Sequence, residues 1–390
     1  MLTYLRFCSV ASISLAAKFT DKDYIENPML GLLRLIFASI VMFMHLFSGL
    51  AALGIYCVFG FYVMSGFLMT RIMHESYGYS WRGMACFLAN RALRLYPVYW
   101  VALLLTVLLI LGFGSELVRG YHASIYLPDS LESYLQNIFI AFIAWFPASV
   151  NPRLVPPTWA ITVEICMYLL IVVGISKTFF RVKVWLIVSL IYVGYTYYVG
   201  APWNARYGPA AAASLPFSVG AATYFLSKNI KLSKFMLRWR LSAGPCFLLL
   251  LTNGIFFSCL APVGQTLLSE IGVYLNIIFC ALLIFTIANG TQIAPLSISL
   301  DQRLGDYAYP IYLMHWQVGL IASYILYGEA FHEYSERGFY SLLLSILLVI
   351  MISTISIHLI EQPLLKARSK IRFMSQGAGI PTKDTAQIPL

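Results

Sequence analysis

Long apolar runs separated by short polar segments repeat along most of the chain. Ten of these runs approach the roughly 20 residues that a helix needs to cross a bilayer, and a helix satisfies its own backbone hydrogen bonds there. The pattern predicts an all-α, polytopic transmembrane helix bundle with spans at 30–49, 52–72, 95–113, 159–177, 183–200, 208–227, 243–260, 268–289, 307–327 and 339–361. The apolar run at 137–146 is too short to cross comfortably, so we predict a re-entrant or lumen-facing segment there.

Composition agrees with a location in lipid. Of the 390 residues, 60% are hydrophobic and 11% are charged, whereas a soluble domain has about half apolar and about a quarter charged residues. A soluble globular fold is therefore excluded.

The basic residues predict the orientation, because Lys and Arg accumulate in short cytoplasmic loops. With the N-terminus inside, all 26 Lys and Arg residues fall on the cytoplasmic side except Arg119, Arg153, Arg206 and Arg337. Both termini are thus predicted to be cytoplasmic. The net charge of +10 is explained by topology and by contact with anionic lipids, and no basic domain indicates a nucleic-acid partner.

The two ends of the chain are predicted to lie outside the bundle. Residues 1–20 look like a secretory signal, but cleavage would invert every loop, so we predict an interfacial cytoplasmic segment at residues 1–27 instead. Residues 28–365 form the predicted transmembrane domain, and residues 366–390 a basic, disordered cytoplasmic tail. The seven cysteines contain no CxxC pair, which indicates neither a disulfide framework nor a metal site.

Ionisable residues inside apolar spans are costly in lipid and indicate functional sites. Arg34 and His45 are eleven residues apart on the first span, which places them on one helix face about 16 Å apart. Both side chains would face one cavity at different depths in the membrane, with Arg34 nearer the cytoplasm. Two alternatives stay open: a snorkelling arginine at the end of a span, and a histidine bonded to a neighbouring helix.

Two further sets of charged residues are candidates. Arg91 and Arg94 lie one helical turn apart before the third span, and such a pair can clamp phosphates, although the basic flank of a span gives the same pattern. Glu164 is predicted about 9 Å inside the fourth span, where it could orient His45 as a general base. The alternative for Glu164 is a structural hydrogen bond to a neighbouring helix.

The ninth span carries a last polar group. Tyr312 and His315 are three residues apart and share a helix face, and Tyr309 lies one turn earlier. His315 is predicted near mid-membrane, as either a substrate-contacting or a structural histidine. The tyrosines also fit an aromatic belt at the membrane interface.

The order of these residues resembles the membrane acyltransferase-3 family, whose members O-acylate sugars of lipopolysaccharide, other glycans and some small molecules. The family's Arg-x10-His motif corresponds to Arg34 and His45, its FxxxSGF-like signature to residues 61–67 with Ser65, and its RxxR motif to Arg91 and Arg94. Each motif alone is weakly specific. Their shared order over residues 30–363 carries the resemblance.

The second half of the chain continues the same order. The WxLxxE pattern corresponds to Trp159 and Glu164, with isoleucine in the leucine position and the following tyrosine at position 168. The late G-x-x-S-Y-x-x-Y-L-x-H stretch corresponds to residues 305–315, with Ala308 where serine is usual, and the chain's IEQP at 360–363 looks like the family's close.

The resemblance implies an integral membrane O-acyltransferase of the bacterial inner membrane. Acyl-CoA, by preference acetyl-CoA, would be the donor, no permanently bound cofactor or metal is expected, and the acceptor would be a hydroxyl of an envelope glycan such as O-antigen, with a separate periplasmic protein as a further partner. Direct transfer and an acyl-enzyme intermediate both stay open. The residues expected to be catalytic are His45 and Glu164. The donor is expected to bind to Arg34, Arg91 and Arg94. The substrate is expected to contact Ser65, Trp159, Tyr309, Tyr312 and His315.

Two other classes of protein fit part of the pattern. A transporter of a lipid-linked sugar or small solute would also combine ten spans with buried charges, but such carriers contain related halves, and residues after 200 hold no counterpart of Arg91 and Arg94. A non-catalytic scaffold would use the same polar residues to bond helix to helix, and it would tolerate conservative changes such as His45→Gln.

Overall fold

The computed structural model describes residues 29–47, 52–238, 241–260, 264 and 266–375. Most of these residues are helical, and none of them is in a β-strand. Within them the α-helices are α1 Gly31–Phe47, α2 Ala52–Ile72, α3 Trp81–Phe113, α4 Ser115–Tyr121, α5 Leu131–Phe139, α6 Thr158–Val172, α7 Phe179–Tyr198, α8 Ala210–Ser227, α9 Ile230–Arg238, α10 Ala243–Leu260, α11 Leu267–Ala288, α12 Ile298–Tyr327, α13 Glu336–Ser356 and α14 Gln362–Ser375. Short π-helices at Met73–Tyr77 and Ile357–Glu361 extend α2 and join α13 to α14.

The predicted helical membrane bundle is confirmed, and each of the ten predicted spans coincides with a helix. In the described part of the chain, seven helices are long and apolar enough to cross a membrane, and α1 and α6 are shorter apolar helices. The predicted ninth span lies within α12, which is not among those seven. The number of ten spans and the orientation of the termini stay predictions.

Helix α2 lies at the centre of the bundle, packed against α1, α6, α8, α10 and α11. Of its most apolar stretch, 72% is buried, against 22% for α7. Apolar side chains that stay exposed on α7 and other outer helices suit lipid as solvent. The polar residues of the site are therefore carried by inner helices, and lipid-facing helices enclose them.

Glycines let the inner helices touch backbone to backbone. A Cβ atom on Gly66 of α2 would lie 2.2 Å from the carbonyl oxygen of Phe217 on α8, and one on Gly305 of α12 would lie 2.8 Å from Cα of Gly31 on α1. Small residues at helix crossings are typical of membrane bundles. The glycines of two motifs thus fix the crossings that bring Ser65 and Tyr309 toward the centre.

The N-terminus of α1 is capped by a residue distant in sequence. Asp301 of α12 accepts hydrogen bonds from the backbone N–H of Gly31 (2.8 Å) and of Leu32 (2.9 Å). A carboxylate there satisfies two otherwise unpaired donors and complements the helix dipole. This contact fixes α1, which carries Arg34 and His45, to α12, which carries His315.

We expect Asp301→Ala to lower the free energy of unfolding by about 2 kcal/mol, at the upper end of the range for lost helix caps, because it leaves two N–H groups of α1 unpaired. Asp301→Asn, which keeps one acceptor, should lose less. Thermal unfolding in detergent measures both, with Asp129→Ala at an exposed position as the control. An unchanged midpoint for Asp301→Ala would contradict the assignment.

The segment at 137–146 is the end of α5 followed by an irregular chain. Side chains of α3 hold it: Tyr96, Tyr99 and Trp100 donate hydrogen bonds to the last three carbonyl oxygens of α5, at 2.7 Å from Tyr96 and 3.0 Å from Trp100. Thr162 of α6 donates to the next carbonyl at 2.9 Å. Non-helical backbone in a membrane protein needs such partners, which explains the aromatic residues that follow Arg94.

The C-terminal segment differs from the expectation. Helix α14 continues to Ser375, so the first part of the predicted disordered tail is helical and packs against α3. The rest of that tail and the predicted interfacial segment at 1–27 lie outside the described residues.

Candidate active site

An internal cavity of about 160 Å³ lies between α1, α2, α3, α6 and α12. Its wall gathers most of the residues that the sequence singled out, from five helices that are far apart along the chain. The predicted site residues in the wall are Arg34, Ser65, Arg91, Arg94, Glu164, Tyr309 and Tyr312. Trp159, His45 and His315 are not in the wall.

Three guanidinium groups converge on this cavity. Arg94 forms an ion pair with Glu361, and Nε of Arg34 donates to the carbonyl oxygen of Leu30 at 3.4 Å. Nε of Arg91 is buried and has no hydrogen-bond partner in the described part of the chain. A buried donor without a partner is costly, so this end of the cavity is suited to an anionic ligand.

Glu164 has partners other than the expected one. Its carboxylate accepts hydrogen bonds from the hydroxyl of Ser65 at 2.5 Å and from the hydroxyl of Tyr168. The expectation that Glu164 orients His45 is not met, because the two helix faces are turned so that Glu164 faces α2. Spacing could place Glu164 inside the fourth span but could not give its partner on α2. The Ser65–Glu164 contact instead joins the motif on α2 to the motif on α6.

His45 pairs with His315. Nδ1 of His45 lies 2.8 Å from Nε2 of His315, and Nδ1 of His315 lies 3.2 Å from the carbonyl oxygen of Ile311. A carbonyl can only accept, so Nδ1 of His315 carries a hydrogen and Nε2 is the acceptor when the ring is neutral. His45 must then donate through Nδ1, which leaves its Nε2 with a free lone pair. That tautomer is the one that a general base requires.

The histidine pair lies next to the cavity. The ring of Tyr312, which is part of the cavity wall, has its centroid 6.4 Å from that of His315. The hydroxyls of Tyr309 and Tyr312 donate to the backbone carbonyls of Leu95 (2.9 Å) and Pro157 (3.1 Å). Their rings therefore shape the cavity while their hydroxyls fix helix positions.

Trp159 packs against a neighbouring aromatic residue and stays outside the cavity wall. Its ring lies 5.3 Å from that of Tyr207 in an edge arrangement. The contact of Trp159 with substrate stays a prediction, since Trp159 is not among the residues that line the cavity.

Sequence reasoning missed a cluster of aromatic and histidine rings around Trp316. His45 stacks on Trp316 with centroids 5.1 Å apart, and His122 and His332 lie 4.4 and 5.1 Å from the same ring. Burial lowers the pKa of His122, which lies between α4 and α5, to about 4. The described residues hold no group of three or more His, Cys, Asp or Glu side chains placed to bind a metal.

These features define a helical membrane protein with a cationic internal cavity beside a histidine pair. The family model of the acyltransferase domain of the acyltransferase-3 family matches residues 27–360, so the chain belongs to that family. Membership supports membrane acyltransferase activity in general. Comparisons with curated proteins and with solved structures gave no match.

Proposed function

We propose that the protein transfers an acyl group, by preference acetyl, from cytosolic acyl-CoA to a hydroxyl of an envelope glycan such as O-antigen. The observation that carries this proposal is the convergence of Arg34, Arg91 and Arg94 on one internal cavity. Guanidinium groups bind phosphates by bidentate, charge-assisted hydrogen bonds, and a coenzyme A thioester combines phosphates at one end with the reactive carbonyl at the other.

The donor would lie along the cavity. Its phosphates would bind Arg91 and Arg94, with Arg34 nearby, and its pantetheine arm would pass the Ser65–Glu164 pair toward Tyr312. The thioester would then face the histidine pair. Glu164 would act by positioning the Ser65 hydroxyl in the cavity wall and by balancing the charge of Arg91, while Tyr309 and Tyr312 would shape the channel.

His45 would act as the general base through its free Nε2, with His315 holding the ring in that tautomer. The acceptor hydroxyl gives its proton to Nε2 as its oxygen attacks the thioester carbonyl. The new C–O bond forms, the C–S bond breaks, and the departing thiolate takes the proton from the imidazolium. In an acyl-enzyme route, the acyl group would pass first from the thioester to a side chain of the protein and then from that side chain to the acceptor hydroxyl.

We expect Arg91→Gln to raise KM for acetyl-CoA by about 10- to 100-fold, the loss of one charge-assisted hydrogen bond. Arg91 is chosen because no carboxylate of the described residues forms a direct ion pair with it, and Glu164, on which its charge acts, keeps its hydrogen bonds from Ser65 and Tyr168. The assay measures thiol release from acetyl-CoA by the purified protein in nanodiscs. Arg82→Gln, at an exposed position on the same helix, is the matched control and should leave KM unchanged.

The acceptor is tested in cells. Envelope glycans from the wild type and a deletion strain are compared by mass spectrometry for ester-linked acetyl groups, which the deletion should remove. A folded protein that consumes no acyl-CoA, with glycans unchanged on deletion, would contradict the proposal, and uptake of a lipid-linked sugar would be measured next.

A further inference from the structure

One face of the segment formed by Glu361 and α14 contacts the first half of α3 and the π-helix that precedes α3. Glu361, Arg368 and Ser375 are spaced by seven residues, which places them along one side of a helix. Their partners are Arg94, Asn90 and the carbonyl oxygen of Ser76 respectively. The contacts follow the helix for its whole length, so this face is fixed against the bundle.

Arg368 is held by two hydrogen bonds to one side chain. Its Nε donates to Oδ1 of Asn90 at 3.1 Å, and Nδ2 of Asn90 donates to the carbonyl oxygen of Arg368 at 2.8 Å. Asn90 is buried, with 3% of its surface exposed. Within the described part of the chain the two terminal nitrogens of Arg368 donate no hydrogen bond, so four of the five N–H groups of the guanidinium are free for a ligand.

Charge around this face is positive. Arg368 is close enough to Arg91, Arg94 and Glu361 for their charges to act on it. The carboxylates whose charges act on these arginines and on Arg34 are Glu361, Asp306, Asp301 and Glu164, and Oε1 of Glu361 is buried with no hydrogen-bond partner in the described residues. Glu361 is paired with Arg94 and Asp301 caps α1, so within the described residues no carboxylate forms an ion pair with Arg368, and its guanidinium is suited to an anionic ligand.

Arg368 lies close to Arg94 and Arg91, which line the cavity, but is not itself in the cavity wall. Arg91 and Arg94 line the cavity, whereas Asn90, which holds Arg368, does not. In coenzyme A the thioester and the 3′-phosphate are at opposite ends, with the diphosphate between them. A donor whose diphosphate binds Arg91 and Arg94 and whose thioester points inward has its 3′-phosphate outside the cavity wall, toward Arg368.

We propose that Arg368 binds the 3′-phosphate of the coenzyme A donor and that Asn90 positions its guanidinium for this contact. The proposal rests on the proposed function. It makes α14 a wall of the donor site and gives the enzyme a means of distinguishing coenzyme A from donors that lack the 3′-phosphate.

The test measures the Kd of coenzyme A and of dephospho-coenzyme A, which lacks the 3′-phosphate, for the full-length protein in neutral phosphatidylcholine nanodiscs. Arg368→Gln should weaken binding of coenzyme A by about 10- to 100-fold and leave binding of dephospho-coenzyme A unchanged. Lys370→Gln, two residues on and on the opposite, exposed side of α14, should change neither. If Arg368→Gln fails to fold, Arg368→Lys replaces it, with a smaller loss expected because an ammonium lacks the bidentate geometry.

An equal loss for both ligands, or a loss for neither, would overturn the proposal. The site could instead take an anionic lipid headgroup, so the measurements are repeated with part of the lipid replaced by phosphatidylglycerol. An effect of Arg368→Gln that appears only with phosphatidylglycerol would overturn the assignment to coenzyme A. If the wild type binds neither ligand, coenzyme A is not the donor and the proposed function is wrong. If the wild type binds both ligands and Arg368→Gln changes neither Kd, only the role of Arg368 is wrong.

Discussion

His45→Ala should lower the turnover of acetyl-CoA by about 100- to 10,000-fold, the contribution typical of a positioned general base. The physical reason lies in two hydrogen bonds. Nδ1 of His315 donates to the carbonyl oxygen of Ile311, and Nδ1 of His45 donates to Nε2 of His315. Nε2 of His45 therefore keeps a free lone pair that can accept a proton. Alanine removes that lone pair and leaves the arginines of the donor site in place. Binding of coenzyme A should therefore be retained while kcat falls.

The measurement is thiol release at saturating acetyl-CoA, with coenzyme A binding and thermal unfolding measured on the same preparation. His358→Ala is the matched control, because His358 is exposed and contacts only a carbonyl of its own helix. His315→Gln, whose amide oxygen can still accept from Nδ1 of His45, should keep more activity than His315→Ala. A folded His45→Ala protein with turnover close to the wild type would contradict the role of His45.

Helix positions and the arginines of the cavity wall could be predicted from sequence because both depend on local spacing. Apolar runs near the length of a span coincide with helices, and Arg91 and Arg94, one turn apart, do face the same cavity. Arg34 reaches it as well, since its place on α1 follows from helical geometry alone.

Partners across the bundle could not be predicted because they depend on the rotation of each helix about its axis. Spacing placed His45 and Glu164 inside their spans, but the partner of Glu164 across the bundle is Ser65 of α2. The rotation of α12 turns His315 toward His45, at a separation of 270 residues. No pattern in one sequence records such pairings.

The helix in the C-terminal segment could not be predicted from the charge of that segment. A basic segment after the last span is typical of a cytoplasmic tail, yet Arg368 and Asn90 bond reciprocally and hold α14 against α3. Asparagine at 90 carries no sign of this role, because its partner lies 278 residues further along the chain.

The ion pair of Arg206 and Glu270 gives the largest expected effect on stability. Nε and Nη2 of Arg206 donate to the two carboxylate oxygens at 2.8 and 2.9 Å, and the side chains are only 6% and 5% exposed. Tyr197 donates a further hydrogen bond to the carboxylate, and its ring lies 4.2 Å from the guanidinium carbon. The pair joins the turn after α7 to the first turn of α11.

We expect Arg206→Ala to lower the free energy of unfolding by about 3 to 5 kcal/mol, because it leaves the Glu270 carboxylate buried without its cation. The measurement is unfolding of the purified protein in mixed micelles as the share of denaturing detergent rises. Arg337→Ala is the matched control: Arg337 also pairs with a glutamate, Glu329, at 2.6 Å, but both side chains are largely exposed, and exposed pairs contribute little.

The double variant Arg206→Met and Glu270→Leu separates the cost of an unpaired charge from the worth of the pair. Replacing both partners with apolar residues of similar size removes the buried anion, and such replacements of buried pairs are often neutral. Stability of the double variant should therefore recover well above that of Arg206→Ala alone. If the double variant is as unstable as Arg206→Ala alone, the loss comes from the missing pair itself and not from an unpaired charge. In that case the carboxylate, held by Tyr197 as well, is an anchor that the turn after α7 requires.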